Sequence, residues 1–169
     1  EGDLLATLEF FPQVFWFSGP VSQLYRANET LGHYMSDEHG LIVASMDLGE
    51  GYTNNPPFEF THIDTMLNDR RRISSNYNLN PFFEGFPLLN PTSIFSNTED
   101  AWFGFLPDSN CAVLYDQEAY SSNPQVNLAV RYPDEGRPQL FAFQLPLHYC
   151  DEFGNMDSLF TRMMEEFSQ

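Results

Sequence analysis

The chain has 169 residues, 42% of them hydrophobic, and a formal net charge of −17, because 24 acidic side chains face only 7 basic ones, all arginine. That length corresponds to one globular domain, 1–169, and 17 Phe, 8 Tyr and 2 Trp are too apolar a load for a disordered chain. The negative field repels nucleic acid and anionic membranes, and no stretch reaches the ~18 apolar residues of a membrane span, so neither is expected as a partner.

The absence of lysine, one of the commonest residues in soluble domains, has three competing explanations. The surface is complementary to a basic partner, it is adapted to high salt, or a modifiable amine has been avoided. The sequence opens on Glu1 rather than Met, which leaves the leader and the compartment open. The cytoplasm is slightly favoured over secretion.

In chain order, "GDLLATLEFF" (2–11) offers Asp3 as a cap ahead of Leu4, Leu5 and Leu8, and predicts a short helix. "QVFWFSG" (13–19) is rich in β-formers, stops at Gly19-Pro20 and predicts a buried strand. "TLGHYMSDEHGLIVASMDLG" (30–49) reads as a hairpin turning at Ser36–Gly40, with "LIVASM" as its second arm. Strand to about residue 62 is then followed by a helix carrying Ile63, Met66 and Leu67 and ending on Arg70, Arg71 and Arg72. There the positive charge suits the helix dipole.

Residues 74–100 follow no period and are broken by Pro81, Pro87 and Pro91, yet hold Phe82, Phe83, Phe86, Leu88, Leu89, Ile94 and Phe95. A segment of that kind either covers the core or offers an apolar surface to a partner. "AWFGFLPDSNCAVLYD" (101–116) reads as strand, Pro107–Asn110 turn, strand. "QVNLAVRYPDEGRPQLFAFQLPL" (125–147) is the clearest hairpin, with Val126, Leu128, Val130 and Tyr132 alternating. Met156, Leu159, Phe160, Met163, Met164 and Phe167 recur at helical spacing behind Asn155 as cap, and predict an amphipathic C-terminal helix.

The fold class is therefore α+β and β-rich. Antiparallel hairpins form a sheet or sandwich, with the short N-terminal helix and the C-terminal amphipathic helix packed against it. Tight turns between strands argue against parallel βαβ units.

Chemistry is sparse. His62 and Asp64 are the best acid–base pair by spacing, since strand alternation would put them on one face with Phe58 and Phe60. His33 and His39, near Asp37 and Glu38, match no metal-ligand spacing. His148 and Cys150 stand two apart on one strand, a poor geometry for an activated thiol. A Cys111–Cys150 bridge would stabilise by roughly 4 kcal/mol in an oxidising compartment; otherwise both are small hydrophobes. Phosphate-loop, zinc-protease, nucleophile-elbow and CxxC motifs are absent, so no cofactor and no metal are expected. The sequon Asn28-Glu29-Thr30 arises readily by accident.

Carboxylates double up at Asp37-Glu38, Glu99-Asp100, Asp134-Glu135 and Asp151-Glu152. With Phe82, Phe83 and Phe86 they form the expected contact set for a basic partner protein. The leading expectation is an acidic, non-enzymatic binding module that neutralises or inhibits such a partner, in the manner of an immunity protein. The alternatives are a hydrolase using His62 and Asp64, and a structural subunit of a larger assembly or virion.

Overall fold

A computed structural model of the chain describes residues 2–18, 23–35, 39–45, 48, 58–66, 78–90, 104–117, 126–145, 147–150 and 155–169. Its helices are α1 (Gly2–Leu8), α2 (Gln23–Met35) and α3 (Asn155–Phe167). Its strands are β1 (Gln13–Ser18), β2 (Gly40–Ser45), β3 (Ile63–Met66), β4 (Leu79–Pro81), β5 (Phe105–Pro107), β6 (Ala112–Gln117), β7 (Val126–Tyr132) and β8 (Leu140–Phe143). All eight belong to one mixed sheet in an α+β, β-rich chain. The main path runs β1-β2-β8-β7-β5-β3, and β6 pairs with β7 and carries β4.

Both faces of this sheet are covered. Leu41, Val43, Val130, Leu140 and Ala142 meet Leu24, Ala27, Leu31, Tyr34 and Met35 of α2, with Leu8 of α1. On the opposite face Ile42, Ala44, Ala129, Phe141 and Phe143 meet Met156, Leu159, Met163 and Phe167 of α3. Double coverage explains why "LIVAS" is an unbroken apolar run, since a strand buried on both sides has no polar face to alternate with. All six residues of β2 are buried.

The parallel arrangement overturns one expectation. β1 and β2 pair in parallel, as do β2 and β8, and α2 is the crossover that parallel pairing requires. The hairpin expected over 30–49 is therefore a helix followed by a strand. Leu24, Ala27, Leu31, Tyr34 and Met35 form a stripe at i, i+3, i+7, i+10 and i+11. Its turn residues 36–38 lie outside the described residues.

Other elements shift as well. β1 is an edge strand and only half buried, with Phe15 and Phe17 each 46% exposed. In place of a helix after residue 62, a 3-10 turn at Glu59–Thr61 leads through His62 into β3. Ile63 is drawn into the core there, and the His62 carbonyl accepts from Asp108 N at 2.9 Å. Arg70, Arg71 and Arg72 lie outside the described residues. β5 and β6 are strand, turn, strand in order but form no ladder together; β5 pairs with β3 and touches β7 at Phe105–Asn127.

The hairpin of β7 and β8 and the C-terminal helix appear where the pattern put them. Asn155 lies inside α3 rather than capping it, and its amide donates to the Leu88 carbonyl at 2.6 Å. Asp3 likewise lies within the first turn of α1. The described part of the irregular segment, 78–90, is a cover: Leu79, Phe86 and Leu89 are buried in the α3-side core. The backbones of Leu79 and Leu89 exchange two hydrogen bonds, at 2.8 and 3.2 Å.

Cys111 and Cys150 are both free. They belong to cores on opposite sides of the sheet, which rules out the bridge between them. The sequon sits inside α2 rather than on a loop, with Thr30 buried.

Candidate functional site

The arginines organise one surface. Arg131 of β7 faces α3, and its guanidinium is spent on four backbone and side-chain acceptors. It donates to the carbonyls of Pro133 and Gly136, to Asp134 O at 3.1 Å, and to Glu166 Oε2 at 3.2 Å. The Phe83 ring lies 5.6 Å from its central carbon, a cation–π distance. Arg162 of α3 holds the other Glu166 oxygen, reaches Glu165 Oε2 at 3.4 Å, and stands 5.6 Å from the Phe86 ring. Arg137 Nε donates to the Phe167 carbonyl at 2.7 Å.

Three of the four described arginines thus meet at the end of α3, Arg131 buried, Arg162 half-buried and Arg137 exposed. They pull two turns together: 82–85, which carries Phe83 and closes on Gly85 (φ +85°) against Arg162, and 133–137. What these turns leave exposed is Phe82, at 57%, and Glu84 on the first and Asp134 and Glu135 on the second. Phe83 is partly buried beneath Arg131, and Phe86 is packed in the core against Tyr115 and Phe141. Phe86 therefore presents no free ring. Asp37, Glu38, Glu99, Asp100, Asp151 and Glu152 lie outside the described residues.

A second centre forms around His62. The residue closes its 3-10 turn in the left-handed region, φ 55° and ψ 29°, with its N–H donating to Glu59 O. That conformation costs a residue with a Cβ about 1–2 kcal/mol, and it breaks the alternation that would have aligned His62 with Asp64. Asp64 is exposed and accepts from Thr65 Oγ1 at 3.0 Å. The carboxylate that meets the imidazole is Asp108, whose Oδ2 accepts from His62 Nδ1 at 2.9 Å. Asp108 Oδ1 accepts from Asn110 N at 2.7 Å, and the imidazole stacks on Tyr132 with centroids 3.4 Å apart and planes 9° from parallel.

His62 and Tyr132 also line a cleft of about 680 Å³ between α2 and the sheet, with Glu29, His33, Glu59 and Gln139. The His62–Asp108 partnership spans 46 residues of sequence, which is why spacing pointed to Asp64 instead. The Pro-Asp-Ser-Asn turn was legible; that it would fold back under His62 was not.

The remaining candidates separate. His33 is exposed on α2, 4.0 Å from Glu29, and His39 stacks on Tyr34 at 4.6 Å. His148 and Cys150 lie on a 3-10 turn rather than a strand, so His148 points outward, edge-on to Phe17, while Cys150 is fully buried. Burial pushes the Cys150 thiol up to about 12. Burial, then Asp108 and Asp134, pushes Cys111 up to about 12 as well. Neither is an activated thiolate nucleophile, which needs a depressed pKa.

No described helix is long and apolar enough to cross a membrane. No family model matches the chain, and comparisons with curated proteins and with solved structures return no match.

Proposed function

We propose that the chain is an acidic, non-enzymatic binding module that neutralises or inhibits a basic partner protein. The observation that carries this is the division of charge at the end of α3. Arg131 and Arg162 are spent internally on Glu166 and on backbone carbonyls, while Phe82 and Glu84 on one of the turns they hold, and Asp134 and Glu135 on the other, are left exposed. An exposed aromatic and exposed carboxylates on two linked turns suit a cationic surface. The ring supplies desolvated contact area, and the acids steer encounter and raise the association rate at low salt.

The test is a salt-titrated pull-down from the native host with two baits: the unmodified chain, and a variant carrying Phe82→Ser, Glu84→Gln, Asp134→Asn and Glu135→Gln. A basic protein retained at about 50 mM salt and released by about 500 mM, where charges are screened within a few ångströms, is the expected result. The variant bait should lose it. Capture that ignores salt, or that is equal on both baits, overturns the proposal.

A second reading is a hydrolase using a His/Asp acid–base pair, favoured by the His62 Nδ1–Asp108 Oδ2 contact at the edge of an open cleft. Asp108, rather than Asp64, is then the carboxylate partner of His62 in the acid–base pair. Turnover of a substrate by the unmodified chain that survives His62→Ala, with stability unchanged, rejects that assignment.

A further inference from the structure

We propose that His62, Asp108 and Cys111 form a binding site for a divalent transition-metal ion of the zinc class. One donor atom from each residue lies within 4.8 Å of the other two. A tetrahedral zinc ion with bonds of about 2.0–2.3 Å holds its ligands about 3.3–3.8 Å apart, so small side-chain rotations bring the three donors onto one ion. An imidazole nitrogen, a carboxylate oxygen and a sulfur make a mixed set that favours zinc or its neighbours over magnesium or calcium, which take oxygen alone.

The backbone already holds the three together. Asp108 N donates to His62 O at 2.9 Å, Cys111 N to Asp108 O at 3.3 Å, and Asp134 N to Asn110 O at 2.9 Å. These bonds tie the 108–111 turn to the start of β3 and to the turn after β7. The ligand groups are themselves supported. Tyr132 fixes the plane of the imidazole, and Asn110 N occupies the second oxygen of Asp108, the kind of outer support that orients metal ligands.

Left-handed backbone at His62 is a cost retained where the surrounding structure demands a side-chain direction, and here that direction is toward Asp108. Three protein ligands leave one zinc position open, and His62 borders the cleft between α2 and the sheet. This inference is independent of the acidic docking surface at the end of α3.

The test uses the full chain with zinc and cobalt as probes. Zinc is titrated in competition with a chromophoric chelator, and cobalt is followed by its thiolate charge-transfer absorption in the near ultraviolet. One equivalent of metal and a thiolate band are expected. Cys111→Ser, Asp108→Asn and His62→Ala should each lower affinity by at least about tenfold, and Cys111→Ser should abolish the band. Cys150→Ser and Asp64→Asn should change neither. Absence of stoichiometric binding, a cobalt spectrum without the thiolate band, or affinity retained in folded Cys111→Ser overturns the proposal. The cobalt spectrum of the unmodified chain decides the matter even where a variant does not fold.

Discussion

The Arg131 guanidinium and the Glu166 carboxylate meet at 3.2 Å in the interior, with side chains only 5% and 10% exposed. Glu166 also holds Arg162 through its second oxygen, so one carboxylate on α3 serves two cations, one on the sheet and one on its own helix. A charge placed this deep is tolerated only when paired.

Removing that carboxylate should therefore be far more costly than removing its neighbour. Glu166→Ala leaves two guanidinium groups without their shared anion and is expected to cost about 3–5 kcal/mol. Glu165→Ala, at a residue 61% exposed, should cost about 0–1 kcal/mol. Urea unfolding followed by circular dichroism measures both. Equal costs would mean that the buried pair does not anchor α3.

Two phenylalanines should likewise separate. Phe143 is fully buried in the α3-side core and packs on Tyr115, whereas Phe17 lies on the edge strand and is 46% exposed. Phe143→Ala is expected to cost about 3–5 kcal/mol through the cavity it leaves. Phe17→Ala should cost about 1 kcal/mol or less. A large loss at Phe17 in equilibrium unfolding would show that β1 is buried in solution, as its composition alone suggested.

Alkaline pH should weaken the fold. Burial raises Cys150 from 9.0 to about 12 and Tyr34 from 10.0 to about 12. Burial also leads the rise of Cys111 from 9.0 to about 12 and the upward shift of Tyr115. Each group has a folded pKa above its unfolded one, so the folded state holds its proton more tightly. That stabilisation is complete below the ordinary value and is lost as pH rises through the folded one. The urea midpoint should accordingly fall between about pH 9 and about pH 12, and Cys150→Ala should flatten the fall by one titrating group. A midpoint independent of pH across that window would contradict the burial of these groups.

Much of this architecture was legible locally. The helical recurrence from Met156 to Phe167 and the turn at 133–138 each depend on a few residues in sequence, whereas the single-face alternation read through β7 fails, with Leu128 in the α3-side core and Val130 and Tyr132 on the α2 side. Their period is set by backbone geometry alone. The excess of carboxylate over arginine was likewise open to counting. The parallel pairing of β1, β2 and β8 was not, because a strand buried on both faces loses the polar alternation that marks it, and the polar residues of α2 between its stripe positions hid the crossover.

The sequence by itself determined an aromatic-rich, lysine-free α+β chain with a net charge of −17. Tertiary structure alone decided which charges are spent and which are left outside. It turned Arg131 and Arg162 inward, buried Phe86, left Phe82, Asp134 and Glu135 exposed, and exchanged Asp64 for Asp108 at His62. The physical reason is the same in each case. A side chain's partner is chosen by strand pairing and by the backbone angle at one residue, across separations at which spacing along the chain carries no information.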